Sequence, residues 1–86
     1  MKNQIVIGRG SGCDILVPAE YVNVSRQHAR VSIVNGNYLF EDISSNGSYV
    51  NGQFINGQRL IIAPNTQVLL ANTFPLPWRQ IQTLFP

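Results

Sequence analysis

The chain has little charge and very few of the side chains on which catalysis and metal binding most often depend. Only 12% of its 86 residues are charged, and it contains one cysteine and one histidine. A lone cysteine cannot form an internal disulfide, and the sequence has no metal-ligand cluster and no carboxylate pair placed for acid–base work. We therefore expect no metal, no cofactor and no catalytic residue, and we expect a cytoplasmic rather than an oxidising environment.

Long apolar runs and dense positive charge are also missing. No apolar run approaches the ~20 residues that a membrane helix needs, so we expect no membrane insertion. The net charge of +2 is too small for a stripe that follows nucleic-acid phosphates, and there is no lysine or arginine run. The strand aromatics are expected to divide between core and loops, so we do not predict nucleic-acid binding. The single cysteine, Cys13, is interpreted as a small, partly buried strand-edge residue.

Turn-forming residues, by contrast, are abundant. Nine asparagines and seven glycines include four Asn-Gly pairs, which are typical of tight β-turns. Residues 29–34 alternate between apolar and polar side chains, and Asn35-Gly36 then predicts a hairpin with residues 37–41. Further short strands are predicted at residues 5–7, 14–17, 48–50, 53–55, 58–62 and 66–70. This spacing indicates one all-β sandwich or barrel domain spanning residues 1–86.

The tail, residues 74–86, differs from the rest of the chain. Pro75 and Pro77 exclude a central strand there. Trp78 to Phe85 could alternate as a final strand, whereas Ile81, Leu84 and Phe85 have helical spacing. The sequence leaves these two alternatives open.

Three polar blocks are candidates for a binding site. Gly8-Arg9 follows the first apolar run, Ser25-Arg26-Gln27-His28 precedes the predicted hairpin, and the loop 42–52 reads Asp-Ile-Ser-Ser-Asn-Gly-Ser-Tyr-Val-Asn-Gly. The planar guanidinium of arginine fits phosphate oxygens, while hydroxyl and amide groups suit an anionic oxygen or an extended peptide. A hydrolase built on Ser25 and His28 is disfavoured, because residues three apart in a turn rarely face each other and no buried aspartate is specified.

In order and spacing, these blocks resemble the forkhead-associated (FHA) domain, a phosphothreonine-peptide binding module, over residues 5–70. The resemblance implies an all-β, FHA-like sandwich of two twisted, mainly antiparallel sheets with the binding loops at one end. It also implies a non-enzymatic module that mediates phosphorylation-dependent protein–protein interaction in signalling, with a phosphothreonine-containing protein as its partner.

The resemblance assigns roles to individual residues. Arg9, Ser25 and Ser45 match phosphate-contacting positions, and Arg26 matches a position that often adds charge near the phosphate. Asn46 matches the residue that hydrogen-bonds the backbone of the bound peptide. The positions implied to support the loops are Gly8, His28, Gly47, Asn51 and Gly52.

The termini depart from the family pattern. The family usually has a strand before the Gly-Arg strand, whereas only four residues precede Ile5 here, so we expect this first strand to be missing or replaced. An uncovered sheet edge would invite dimerisation. The alternative function is therefore a degenerate FHA-fold domain that binds a partner, or a second copy of itself, through its sheet edge or tail without phosphate dependence.

Overall fold

The structure, a computed structural model, describes residues 3–85, and these form short strands followed by one helix. The elements are β1 (Gln4–Gly8), β2 (Ile15–Leu16), β3 (Ala29–Val34), β4 (Asn37–Asp42), β5 (Ser48–Val50), β6 (Gln53–Ile55), β7 (Arg59–Ile62), β8 (Val68–Leu70), β9 (Phe74–Pro75) and α1 (Trp78–Leu84).

The strands build two sheets that pack face to face. Sheet A has the order β2-β1-β3-β4-β7, and sheet B has the order β6-β5-β8-β9. The β1–β2 pair is parallel and the other strand pairs are antiparallel. The predicted all-β sandwich of two mainly antiparallel sheets is therefore confirmed, as is the hairpin between β3 and β4.

The core forms because alternate residues of each strand point between the sheets. On β3, Ala29 and Val31 are fully buried, while Arg30 and Ser32 on the opposite face are only partly covered. Phe40 on β4 is the largest fully buried side chain of this core. The same core cluster also contains the buried side chains of Ile5, Ile7, Val24, Val68, Leu70 and Ile81.

Strand β2 is shorter than the strand predicted at residues 14–17. The side chain of Asp14 explains its late start, because one carboxylate oxygen accepts the backbone N–H of Val6 at 2.8 Å. Cys13, just before it, is partly buried, and its Sγ donates to the carbonyl of Arg26 at 3.0 Å. Burial raises the pKa of the Cys13 thiol, which keeps the sulfur in its unreactive protonated form.

The tail is helical from Trp78, which settles the alternatives that the sequence left open. Ile81 is fully buried, and the indole Nε1 of Trp78 donates to the carbonyl of Thr66 at 2.7 Å. Pro75 lies in β9 at the edge of sheet B, where a missing N–H is tolerated. Within residues 3–85 no strand precedes β1, and the tail supplies the two-residue edge strand β9 of sheet B and the helix α1.

Candidate functional site

The three polar blocks meet at one end of the sandwich, around an open cleft of about 680 Å³. The loop after β1, the loop before β3 and the loop between β4 and β5 each contribute to its wall. The residues that line it are Arg9, Val22, Asn23, Val24, Ser25, Arg26, Gln27, Ile43, Ser45 and Asn46. Two arginines and no acidic residue are in this set, so the cleft is suited to an anion.

The first two loops are held together by backbone contacts that require a glycine. The N–H of Arg9 donates to the carbonyl of Ser25 at 3.1 Å, and the N–H of Gly10 donates to the carbonyl of Arg26 at 2.8 Å. A Cβ atom at Gly8 would lie 2.2 Å from the carbonyl oxygen of Arg26. Any other residue at Gly8 would therefore push the Arg9 loop away from the Ser25 loop.

Within residues 3–85, one side-chain hydrogen bond fixes the guanidinium of Arg9. Its Nε donates to the carbonyl oxygen of Val24, which orients the plane of the group within the cleft wall. The terminal N–H groups remain available for a planar two-point contact with a ligand's oxygens. Arg26 is more exposed and lines the same cleft, so it adds positive charge nearer the solvent.

Ser25 is oriented by one hydrogen bond from the loop between β4 and β5 and by one within its own loop. Its hydroxyl oxygen accepts the backbone N–H of Ser45 at 3.1 Å. Its own backbone N–H donates to Nδ1 of His28 at 3.0 Å. Because the hydroxyl oxygen already accepts a bond, its hydrogen is left to donate to a ligand at the mouth of the cleft.

His28 is fully buried and braces the loops instead of acting as a base. Because Nδ1 accepts the Ser25 N–H, the ring proton lies on Nε2, which is 2.9 Å from the carbonyl oxygen of Gly47. Burial lowers the pKa of His28, although the Gly47 carbonyl and the carboxylate of Asp42 act in the opposite direction. The neutral ring has no free lone pair to activate Ser25, which argues against hydrolase chemistry.

Asp42 lies at the centre of a hydrogen-bond network to which the sequence reasoning assigned no role. It is 1% exposed. Its carboxylate accepts the N–H of Ser44 at 2.9 Å, the hydroxyl of Ser44 at 2.8 Å and the hydroxyl of Ser48 at 2.7 Å. The Ser44 hydroxyl oxygen in turn accepts the N–H of Gly47 at 2.8 Å. The sequence Asp42-Ile43-Ser44 could have indicated this network, because an aspartate side chain often accepts a hydrogen bond from the backbone N–H two residues ahead.

Ser45 and Asn46 project from this braced loop into the cleft wall. Both are exposed, and the side-chain amide of Asn46 donates to the carbonyl of Asn23 at 2.7 Å. That bond ties the third loop to the second and leaves the Asn46 side-chain oxygen to accept from a ligand. Gly47 has φ of +82°, and a Cβ atom there would lie 2.3 Å from Cε1 of Phe54. The loop therefore requires a glycine on two grounds.

Asn51 and Gly52 lie elsewhere. They form the β5–β6 turn at the opposite end of β5 from Ser48, with φ of 51° and 82°. Neither lines the cleft. The structure thus brings Arg9, Ser25, Arg26, Ser45 and Asn46 to one cleft, surrounds it with Gly8, His28 and Gly47, and places this turn away from it.

Two further observations concern other kinds of site. No set of three or more histidine, cysteine, aspartate or glutamate side chains that could hold a metal occurs in residues 3–85. The same part of the chain contains no helix that is both long and apolar enough to cross a membrane.

The fold and the cleft define a β-sandwich binding module whose ligand site is built from loops at one end. The chain belongs to the FHA domain family, because the family model matches residues 5–71. The prediction of an FHA-like sandwich is therefore confirmed. FHA domains bind phosphopeptides and are not catalytic, so the class of module is a phosphopeptide-binding one.

Similar proteins agree with this membership. A probable serine/threonine-protein kinase, fhkB of Dictyostelium discoideum, is 30% identical over 83 residues, covering 71% of this chain and 7% of the kinase. The chain thus corresponds to a small part of that protein.

Two solved structures share the fold at 26% identity. An engineered FHA domain with a Myc-pTBD peptide superposes with a TM-score of 0.72, covering 81% of this chain and 56% of that one. An FHA domain solved in work on phosphothreonine-dependent FHA domain interactions gives a TM-score of 0.71, covering 84% of this chain and 72% of that one.

Proposed function

We propose that this domain binds phosphothreonine in a partner protein and so mediates a phosphorylation-dependent protein–protein interaction in signalling. The observation that carries the proposal is the cleft that gathers Arg9, Arg26, Ser25 and Ser45 with no acidic residue in its wall. Phosphothreonine carries about −1.5 to −2 charges and three strong acceptor oxygens, which match these donors. The single cysteine gives no sign of an oxidising compartment, so the interaction is proposed to take place in the cytoplasm.

The donors have complementary roles in this proposal. The terminal N–H groups of Arg9 meet two phosphate oxygens, and the hydroxyls of Ser25 and Ser45 meet the third. Arg26 adds charge from the solvent side. The side chain of Asn46 fixes the peptide backbone beside the phosphothreonine, which sets the direction of the bound chain.

The apolar part of the cleft wall supports a preference for threonine over serine. Val22 and Ile43 line the cleft together with the phosphate-binding groups. A γ-methyl group placed against them would be removed from water, and burying one such carbon contributes about 0.8 kcal/mol. Phosphoserine lacks this methyl group, so we expect it to bind several-fold more weakly.

The small number of hydrogen-bond donors in the cleft predicts weak, reversible binding. Charge-assisted hydrogen bonds contribute roughly 1.5–3 kcal/mol each, and three or four of them oppose an association cost of about 4–15 kcal/mol. The surplus is small, so removal of the phosphate is expected to abolish most of the binding.

Fluorescence anisotropy with a degenerate phosphothreonine peptide library tests the proposal, with unphosphorylated and phosphoserine libraries as controls. We expect Arg9→Ala to weaken phosphothreonine binding by about 100-fold or more, the loss of two charge-assisted bonds of roughly 1.5–3 kcal/mol each. Arg59→Ala is the matched control, because Arg59 is exposed on β7 outside the cleft. Folded wild-type protein that binds phosphorylated and unphosphorylated libraries equally would rule the proposal out and favour the degenerate alternative.

A further inference from the structure

The outer face of sheet B carries a row of apolar side chains that the proposed phosphate site does not use. Strand pairing aligns Phe54 on β6 with Tyr49 on β5, Tyr49 with Leu69 on β8, and Leu69 with Pro75 on β9. Their strand neighbours Ser48, Val50, Ile55, Val68 and Leu70 are buried, so these four side chains lie on the opposite, outer surface. We call this set the sheet B row: Phe54, Tyr49, Leu69 and Pro75.

The row combines aromatic rings with a complete lack of charge. Phe54 is 49% exposed, and its ring lies 5.3 Å from that of Tyr49, centroid to centroid. The four strands of sheet B contain no charged residue. Depletion of charge and enrichment in aromatics are characteristic of the centre of a protein interface.

The outer face of sheet A also exposes apolar side chains, such as Leu16 and Ile61, but it differs from sheet B in carrying charged residues among them. There the strand pairing places Arg30 beside Glu41, and Glu41 beside Arg59. Arg30 Nη1 donates to the Glu41 carboxylate at 3.2 Å, as expected of a solvated face. Two outward-facing sheets of one small domain thus differ in character, and the uncharged one is the candidate interface.

The row is continuous with the cleft through Gly47. Asn46 lines the cleft, and the ring of Phe54 occupies the space where a Gly47 side chain would be. A peptide that leaves the phosphate site across the Asn46-Gly47 backbone would reach the Phe54 ring next. This continuity rests on the proposed function, since it takes the cleft to be the phosphopeptide site.

The dimensions of the sheet B row fit a short peptide segment better than a second copy of the domain. Four strands about 4.8 Å apart give a row roughly 15 Å long, which matches four or five residues of extended chain. A stable dimer needs about 800 Å² from each copy, more than a row one side chain wide can supply. We propose that the sheet B row binds a second, uncharged and apolar segment of the same partner polypeptide whose phosphothreonine occupies the cleft.

Two randomised phosphothreonine libraries test this inference, one with about four residues on each side of the phosphothreonine and one with about twelve. Wild-type protein is expected to select apolar residues at a fixed distance from the phosphothreonine in the long library. The best long peptide should bind about tenfold more tightly than its shortened form, since it covers one or two additional apolar side chains.

The row variants are Phe54→Gln and Leu69→Gln, and the matched control is Ile61→Gln, whose side chain is 53% exposed on sheet A. Both row variants should lose the tenfold gain, and the control should keep it. The atoms nearest to a Cβ at Gly47 belong to Phe54 and Ile55 and not to Leu69, so Leu69→Gln tests the row even if Phe54→Gln disturbs the loop. Unchanged affinity for the short peptide in each variant shows that the phosphate site is intact.

The other outcomes overturn the inference in distinguishable ways. If wild-type protein bound long and short peptides with equal affinity, or if both row variants kept the tenfold gain in affinity of the long peptide, the sheet B row would take no part in binding. Neither result would contradict the proposed function. Absence of phosphate-dependent binding in either library overturns both. A dimer, detected by light scattering and lost in Leu69→Gln, would assign the row to a second copy instead.

Discussion

At the scale of single residues, Asp42 determines whether the third binding loop keeps its shape. Its buried carboxylate accepts hydrogen bonds from both the backbone and the hydroxyl of Ser44 and from the hydroxyl of Ser48. An asparagine there would place an amide N–H₂ opposite at least one of these donors. We expect Asp42→Asn to lower the free energy of unfolding by about 2–4 kcal/mol and to weaken phosphothreonine binding, as measured by urea denaturation and anisotropy.

Glu41→Gln is the control for that substitution, because it removes the neighbouring carboxylate from a partly exposed pair with Arg30. Exposed pairs contribute about 0–1 kcal/mol, so this variant should resemble wild type. If Asp42→Asn lost no more stability than Glu41→Gln, the network around Asp42 would not be what holds the loop.

His28 makes the stability of the domain depend on pH. Burial lowers its pKa in the folded state below the ordinary value of about 6.5. Below pH 6.5 the unfolded chain therefore binds a proton at this position that the folded chain does not. We expect the free energy of unfolding to fall as pH decreases through 6.5 toward the folded-state pKa, by at most about 1.4 kcal/mol per pH unit.

NMR can follow this titration without ambiguity, since His28 is the only histidine in the chain. The ring signals of the folded protein should shift at a pH below 6.5, and urea midpoints between about pH 5 and 7 should show the corresponding slope. A ring that titrates at or above 6.5 would contradict the burial of a neutral imidazole between Ser25 and Gly47.

At the scale of elements, the helix α1 depends on packing for its existence. It has seven residues and no side-chain hydrogen bond at its N-terminus, and isolated helices this short are not stable in water. Its fully buried residue is Ile81. We expect Ile81→Ala to lower the free energy of unfolding by about 2–5 kcal/mol in urea denaturation, through lost burial and the cavity left behind.

The neighbouring Gln82 is exposed and serves as the matched control, with Gln82→Ala expected to change stability by less than about 0.5 kcal/mol. No residue of α1 lines the cleft, so the folded fraction of Ile81→Ala should bind phosphothreonine peptides as wild type does. Equal stabilities of the two variants would mean that α1 is not docked in solution.

At the scale of the whole molecule, the sequence predicted local structure better than long-range contacts. Alternation along β3 and the Asn35-Gly36 pair were sufficient for the β3–β4 hairpin, because side-chain period and turn geometry are local properties. The tail was ambiguous, since Ile81 fits both a strand and a helix until its packing partners are known. Grouping Arg9 with Ser45 required the family resemblance, because no local rule relates loops 36 residues apart.

The burial of Asp42 could not be predicted for a similar reason. Charged residues are rarely buried unless they are paired, and the partners that make burial tolerable here, Ser44 and Ser48, are ordinary loop residues until the backbone folds around them. Turn chemistry predicted a turn at Asn46-Gly47, and the family resemblance gave Gly47 its loop-supporting role. The second reason for a glycine at position 47 is that a side chain there would occupy the space of the Phe54 ring, which comes from the neighbouring strand β6.

The cleft joins loops from both sheets, so ligand binding should stabilise the domain as one cooperative unit. A ligand that binds only the folded state at 100 times its Kd adds about 2.7 kcal/mol to the free energy of unfolding. The amide of Ile81, which donates to the carbonyl of Pro77 at 3.0 Å, lies in α1 and outside the cleft. If α1 opens only by global unfolding, a saturating phosphothreonine peptide should slow hydrogen exchange at Ile81 by about 100-fold. The unphosphorylated peptide should leave that rate unchanged, and the phosphorylated peptide added to Arg9→Ala at the same concentration should slow it much less than in wild type, because the weaker binding lowers the saturation of the variant. Slowing confined to the amides of residues 43–47 would instead mean that the binding loops open and close independently of the sandwich.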